Sequence, residues 1–94
     1  QNATYLQTQL QSQLQQQVKE LEGYQSIMDY YTQTALPNAQ TIVAKIAKGY
    51  QSGDIGYVEY LQGLQTALDI QKNYLQAVNN YNQASINTLY LTNK

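Results

Sequence analysis

Ninety-four residues allow one small domain, and with a net charge of -1 and no arginine the chain has no basic face of the kind that neutralises phosphates along DNA or RNA. No cysteine is present, which excludes a disulfide frame, and no run approaches the roughly 18 to 20 apolar residues that cross a bilayer as a helix. Two biases stand out: Gln (17) and Asn (8) make up 25 residues, and ten Tyr supply every aromatic ring. Gln/Asn richness accompanies disorder when apolar periodicity is missing. Here it is present throughout.

From Leu6 onward, apolar or small residues recur at Leu10, Leu14, Val18, Leu21, Tyr24, Met28, Tyr31, Ala35, Ala39, Ile42, Ile46 and Tyr50. Twelve steps cover 44 residues, a mean of about 3.67, which is a helix stripe with a period that keeps the helix nearly straight. The positions between are mostly Gln, Lys, Thr and Ser, which suit a wet face. Gln in particular is a good helix former without charge. Pro37 lacks an amide donor and crowds the carbonyl four residues back, so a kink is expected near Leu36 in a helix that otherwise continues.

The pattern stops at Gly49-Tyr50-Gln51-Ser52-Gly53-Asp54-Ile55-Gly56, where three glycines fall within eight residues. Gly53 is placed to end the first helix in the left-handed region, where the missing Cβ removes the steric penalty. Asp54 or Gly56 can cap the next helix, with Glu59 in its first turn favoured by the helix dipole.

From Tyr57 to about Thr92 two adjacent stripes run side by side. One is Leu61, Leu64, Leu68, Gln71, Leu75, Val78, Asn82, Ser85 and Leu89; the other is Tyr60, Gly63, Ala67, Ile70, Tyr74, Ala77, Tyr81, Ala84, Thr88 and Leu91. Both step by three and four, so this helix has two heptad seams and wants two neighbours. The second seam alternates Tyr with Ala or Gly, which lets a large side chain lie over a small one. The expected fold is therefore all-α. It is a long antiparallel two-helix coiled-coil hairpin, with a helix over about 3–51, a turn over 52–56 and a helix over about 57–92.

If the turn is centred near residue 54, facing residues have numbers that total roughly 109, and residues 1 to about 15 have no partner within the chain. That overhang still carries Leu6, Leu10 and Leu14 at helical spacing. A lone two-helix hairpin also buries little apolar surface. Self-association is expected, and residues 1–94 read as a single hairpin belonging to a larger assembly.

The residues that carry chemistry are sparse. With no His and no Cys, the common metal and nucleophile constellations cannot be built. The six carboxylates, Glu20, Glu22, Asp29, Asp54, Glu59 and Asp69, are scattered and read as solvated surface charge. Met28 alone makes no soft-metal site, and the Tyr residues fall on the stripes as packing. No enzyme activity, cofactor or metal site is expected. The turn differs, because Ile55, Tyr57 and Val58 place apolar side chains at an exposed end, where loop residues serve recognition.

Two stretches have a familiar form: Tyr30-Tyr31-Thr32-Gln33-Thr34-Ala35-Leu36-Pro37-Asn38-Ala39, then Gly49-Tyr50-Gln51-Ser52-Gly53-Asp54-Ile55-Gly56-Tyr57-Val58-Glu59-Tyr60-Leu61. Over residues 24 to 94 the chain resembles the last helical hairpin of the TolC-like outer membrane factors, closest to the heavy-metal efflux branch, including forms fused behind an RND-type pump. The resemblance implies a trimeric channel with a periplasmic tunnel of paired long helices. It places the turn at the periplasmic tip, where a periplasmic adaptor (membrane fusion) protein docks. Gly53, Asp54, Ile55, Gly56 and Tyr57 match the tip run and are the implied adaptor contacts. The sequence departs from the pattern with Gly63-Leu64-Gln65 where Asp-Ala-Gln is frequent, and in having no Arg before the tip glycine. The implied location is the periplasmic portion of a bacterial envelope protein, whose membrane contact would come from other parts of the parent. A self-associating helical-bundle spacer with no transport role is the competing expectation.

Overall fold

The computed structural model describes the backbone of residues 2–92 and the side chains of 3–92; Gln1, Asn93 and Lys94, at the ends of the expected hairpin, lie outside it. The described chain is helical except at one turn. Its first arm comprises α1 (Asn2–Tyr30), a π-helical turn (Tyr31–Ala35) and α2 (Leu36–Ser52), and its second arm is the single helix α3 (Tyr57–Thr92). The molecule is a rod with extents of 75 × 17 × 16 Å. Helix bounds and the turn agree with the sequence periodicity to within a residue or two.

The irregularity expected near Leu36 in a continuing helix takes the form of a π turn. The first arm stays helical through Pro37, and the irregularity sits one turn earlier as the π turn, where the Leu36 amide donates to the Tyr31 carbonyl. A proline amide cannot donate and its ring pushes on the preceding turn. Widening that turn to an i→i+5 pattern relieves the clash while the remaining amides keep partners. The wider turn takes up additional chain without advancing the helix. Ile46 lies against Gly63, a pair totalling 109, and at the π turn itself the Tyr31 ring reaches Tyr74 of the other arm.

The seam inside the hairpin is built on small residues. Among the described residues, those that are buried are Ala35, Ala39, Ala67, Ala77 and Ala84, all of them alanine. On α3, Tyr60, Gly63, Ile70, Tyr74, Tyr81, Thr88 and Leu91 are half-buried around them, so it is the Tyr/Ala/Gly stripe that faces the first arm. Gly63 shows why size matters here. A Cβ built on it would lie 2.6 Å from Ile46 Cδ1 and 3.1 Å from Ile46 Cγ2, closer than carbon atoms can approach. Ile46 therefore fills the place of the missing side chain, and the arms close to a distance a larger residue would forbid.

The other α3 stripe faces outward. Leu61, Leu68, Leu75 and Leu89 are 44%, 57%, 66% and 60% exposed, whereas Leu64 and Val78 are half-buried at the edge of the inner seam. Near the amino end Leu6 and Leu10 are also exposed. The far end of α3 reaches the middle of α1, where Gln13, Gln16 and Gln17 share a hollow with Asn87, Tyr90 and Leu91. Buried there, Gln17 Oε1 has no hydrogen-bond partner. Residues before about Gln13 extend beyond the last turn of α3, as the register predicts.

Candidate functional site

Among the described residues, the hairpin tip is the one place where the backbone departs from a helix. Gly53 adopts φ 83° and ψ 6°, the left-handed conformation, and is the only described residue with positive φ. Two bonds then close the end of α2: the Gly53 amide donates to Tyr50 O at 3.2 Å and the Asp54 amide to Gly49 O at 2.8 Å. This pair of bonds is the Schellman arrangement, which satisfies carbonyls a helix end would otherwise leave open. The Ile55 amide also reaches Gly49 O, at 3.3 Å. One carbonyl thus gathers the whole turn.

Side chains reinforce this geometry. The Ser52 hydroxyl lies 3.1 Å from Gly49 O and 3.0 Å from Asp54 Oδ2, so its one proton is shared between two acceptors. Asp54 is thereby engaged with Ser52, and the α3 start relies on backbone: the Tyr60 amide donates to Gly56 O at 3.0 Å. Of the two expected caps, Gly56 occupies the junction. Glu59 sits in the first turn of α3, near the positive end of the helix dipole.

The five tip residues singled out from the sequence separate into two roles. Ile55 turns inward and is half-buried, with its side chain 3.4 to 3.7 Å from where a Gly49 Cβ would be. Gly53 and Asp54 shape the turn and Gly56 admits α3, and each of the three is solvent-exposed. Only Tyr57, together with Val58 beside it, presents a large apolar surface outward, at 60% and 66% exposure. Tyr50 braces them from below: its ring stacks on Tyr60 at 4.7 Å and 26° and meets Tyr57 at 6.2 Å. That brace was readable in principle. Tyr50 and Tyr60 total 110 and so face each other in the hairpin register.

The tip presents few chemical groups. It offers backbone-fixed geometry, one carboxylate already hydrogen-bonded and two exposed apolar side chains. Among the described residues no group of three or more Asp, Glu, His or Cys is placed to hold a metal ion, and no helix is long and apolar enough to cross a membrane. Comparison with protein-family models, with curated proteins and with solved structures returns no match. The functional reading therefore rests on the residues and their geometry.

Proposed function

We propose that this chain is the periplasmic tunnel-wall hairpin of a TolC-like outer membrane efflux channel, and that its tip docks a periplasmic adaptor in a tripartite system with an RND-type pump. The observation that carries the reading is the tip. A rod 75 Å long ends in a turn locked by backbone bonds, with Tyr57 and Val58 turned outward at its end. Exposed apolar residues on a rigid support are what a docking surface needs, because little ordering entropy is lost on binding.

The rest of the hairpin fits the wall of such a channel. Two helices of ~10 to 12 Å diameter lying flat would make a ribbon about twice as wide as thick. The lateral extents of 17 and 16 Å are nearly equal, as for an antiparallel coiled-coil pair that winds along its length. The outward leucine stripe then supplies the contact with a neighbouring hairpin in a trimeric barrel. The exported substrate class, heavy-metal ions or drugs, follows from the resemblance, and the hairpin performs no bond chemistry.

Adaptor binding by the full channel tests the proposal directly. Val58→Asp or Gly53→Arg is expected to weaken adaptor binding by at least about tenfold, equivalent to ~1.4 kcal/mol, with helix content unchanged. Binding that is indifferent to both substitutions would sink the docking role. Ile55→Asp is a less clean probe, since Ile55 also packs over Gly49 and its loss loosens the turn itself.

A further inference from the structure

The two arms of the hairpin do not keep the same count along their shared seam. On α3, Gly63, Ile70, Ala77, Ala84 and Leu91 step by seven without a break, and all are buried or half-buried. Through α1 and into the π turn, Gln17, Tyr24 and Tyr31 also step by seven and are half-buried. Continuing from Tyr31 by sevens reaches Asn38 and Lys45, and both are exposed. The seam is taken up instead by Ala39, which is buried, and by Ile46, which fills the space above Gly63. The step from Tyr31 to Ala39 is eight. The parallel line through Met28 broadens at the same place to the pairs Ala35 with Leu36 and Ile42 with Val43, and the second member of each pair follows the step of eight.

Eight residues of α-helix turn about 80° beyond two full turns, whereas seven fall about 20° short, so plain α-helix does not keep Tyr31 and Ala39 on one line. The π turn, Tyr31–Ala35, lies over that same step, and the Leu36 amide bonds five residues back. Such a turn holds about one residue more than an α turn, which returns α2 to the phase of α1. We infer that the π turn is a phase correction: it stores the one residue by which the first arm exceeds the heptads of α3, so that one continuous seam meets both α1 and α2. Pro37 fixes where that residue is stored. Its missing amide already leaves a carbonyl of the preceding turn without a donor, so opening the helix there sacrifices least. Relief of the proline clash accounts for an irregular turn, but not for a seam that is out of step by one residue on its two sides.

This correction belongs to the hairpin and is independent of the channel reading. Removing the proline isolates the effect of phase. In the 94-residue chain carrying Pro37→Ala, one residue is deleted either at Gln33, inside the π turn, or at Gln25, in α1; both are exposed. Deleting Gln33 makes the step from Tyr31 to Ala39 seven, so plain α-helix keeps the seam. The urea midpoint at fixed protein concentration should then stay level with that of Pro37→Ala or rise above it. Deleting Gln25 turns the whole amino-terminal part by one residue and brings Gln13, Gln16, Glu20 and Gly23 onto the seam in place of Leu14, Gln17, Leu21 and Tyr24. If the π turn closes to compensate, Met28 and Tyr31 leave the seam instead. Either way the midpoint should fall. Amide hydrogen bonds read by NMR should show an i→i+5 turn kept in Pro37→Ala and absent after the Gln33 deletion. A deletion at Gln33 that costs as much as one at Gln25, or a Pro37→Ala chain without any i→i+5 turn, overturns the proposal.

Discussion

The two stripes of α3 have the same period and nearly the same length, yet one is closed and the other open. The closed stripe carries Gly63, Ala67, Ala77 and Ala84 between tyrosines, and its alanines are the most buried residues of that helix. The open stripe carries the leucines, of which Leu75 is 66% exposed. Hydrophobicity alone would have assigned them the other way, since a leucine buries more apolar surface than an alanine. The difference teaches that inside a two-helix hairpin, close approach decides. With only one neighbour, a helix gains most where small residues let whole backbones and ring faces come together. Leucines are left for contacts made at a greater distance.

Substitutions that exchange the character of the two stripes should break this asymmetry. The largest effect is expected at Gly63. Gly63→Leu places atoms where Ile46 already lies, and should destabilise the hairpin by about 3 kcal/mol, at the upper end of overpacking costs, read as a lower urea midpoint at fixed protein concentration. Gly63→Leu combined with Ile46→Ala should recover part of that loss; no recovery would mean that the Ile46 contact is not what requires the glycine.

At the tip the effect is smaller and has a different origin. Gly53→Ala keeps every contact, since a Cβ there meets nothing within 4 Å, but forces an L-residue to φ 83°. A loss of about 1 kcal/mol is expected from that strain alone. Gly56→Ala, where φ is not positive and space is also open, serves as the control and should lose less. Equal losses at both positions would remove the left-handed turn from the explanation.

The smallest effect on the hairpin itself is expected at Leu75. Leu75→Gln replaces an outward leucine by a good helix former and should change intrinsic hairpin stability, measured at protein concentrations low enough for monomer, by no more than about 0.5 kcal/mol. An effect on the monomer as large as that at Gly63 would show that the outer stripe belongs to the hairpin core after all.

Much of the architecture was legible from residue spacing. Leu14 through Ile46 mark the inner face of the first arm, Gly53 marks the turn, and the register near it holds to the residue at Ile46 and Gly63. The π turn was not legible, because a proline announces a missing donor without saying how the preceding turn will adjust. The tip was half legible. Gly53, Asp54, Ile55, Gly56 and Tyr57 do come together, but the inward rotation of Ile55 over Gly49 depends on how the turn closes in three dimensions, which leaves Tyr57 and Val58 as its outward surface.

By itself, the order of residues determined that α3 has two faces to bury, that the chain doubles back at Gly53, and that Leu6 and Leu10 extend past the end of the second arm. These follow from local rules: a period of about 3.6 residues, a glycine free to take positive φ, and a constant rise per residue. Only the tertiary structure decided which face the first arm takes. A period states where a stripe lies and not what comes to meet it. That choice rests on the fit of Ile46 into the space above Gly63 and of tyrosine rings beside alanines, a matter of shape between residues distant in sequence. The leucine seam stays open for the same reason.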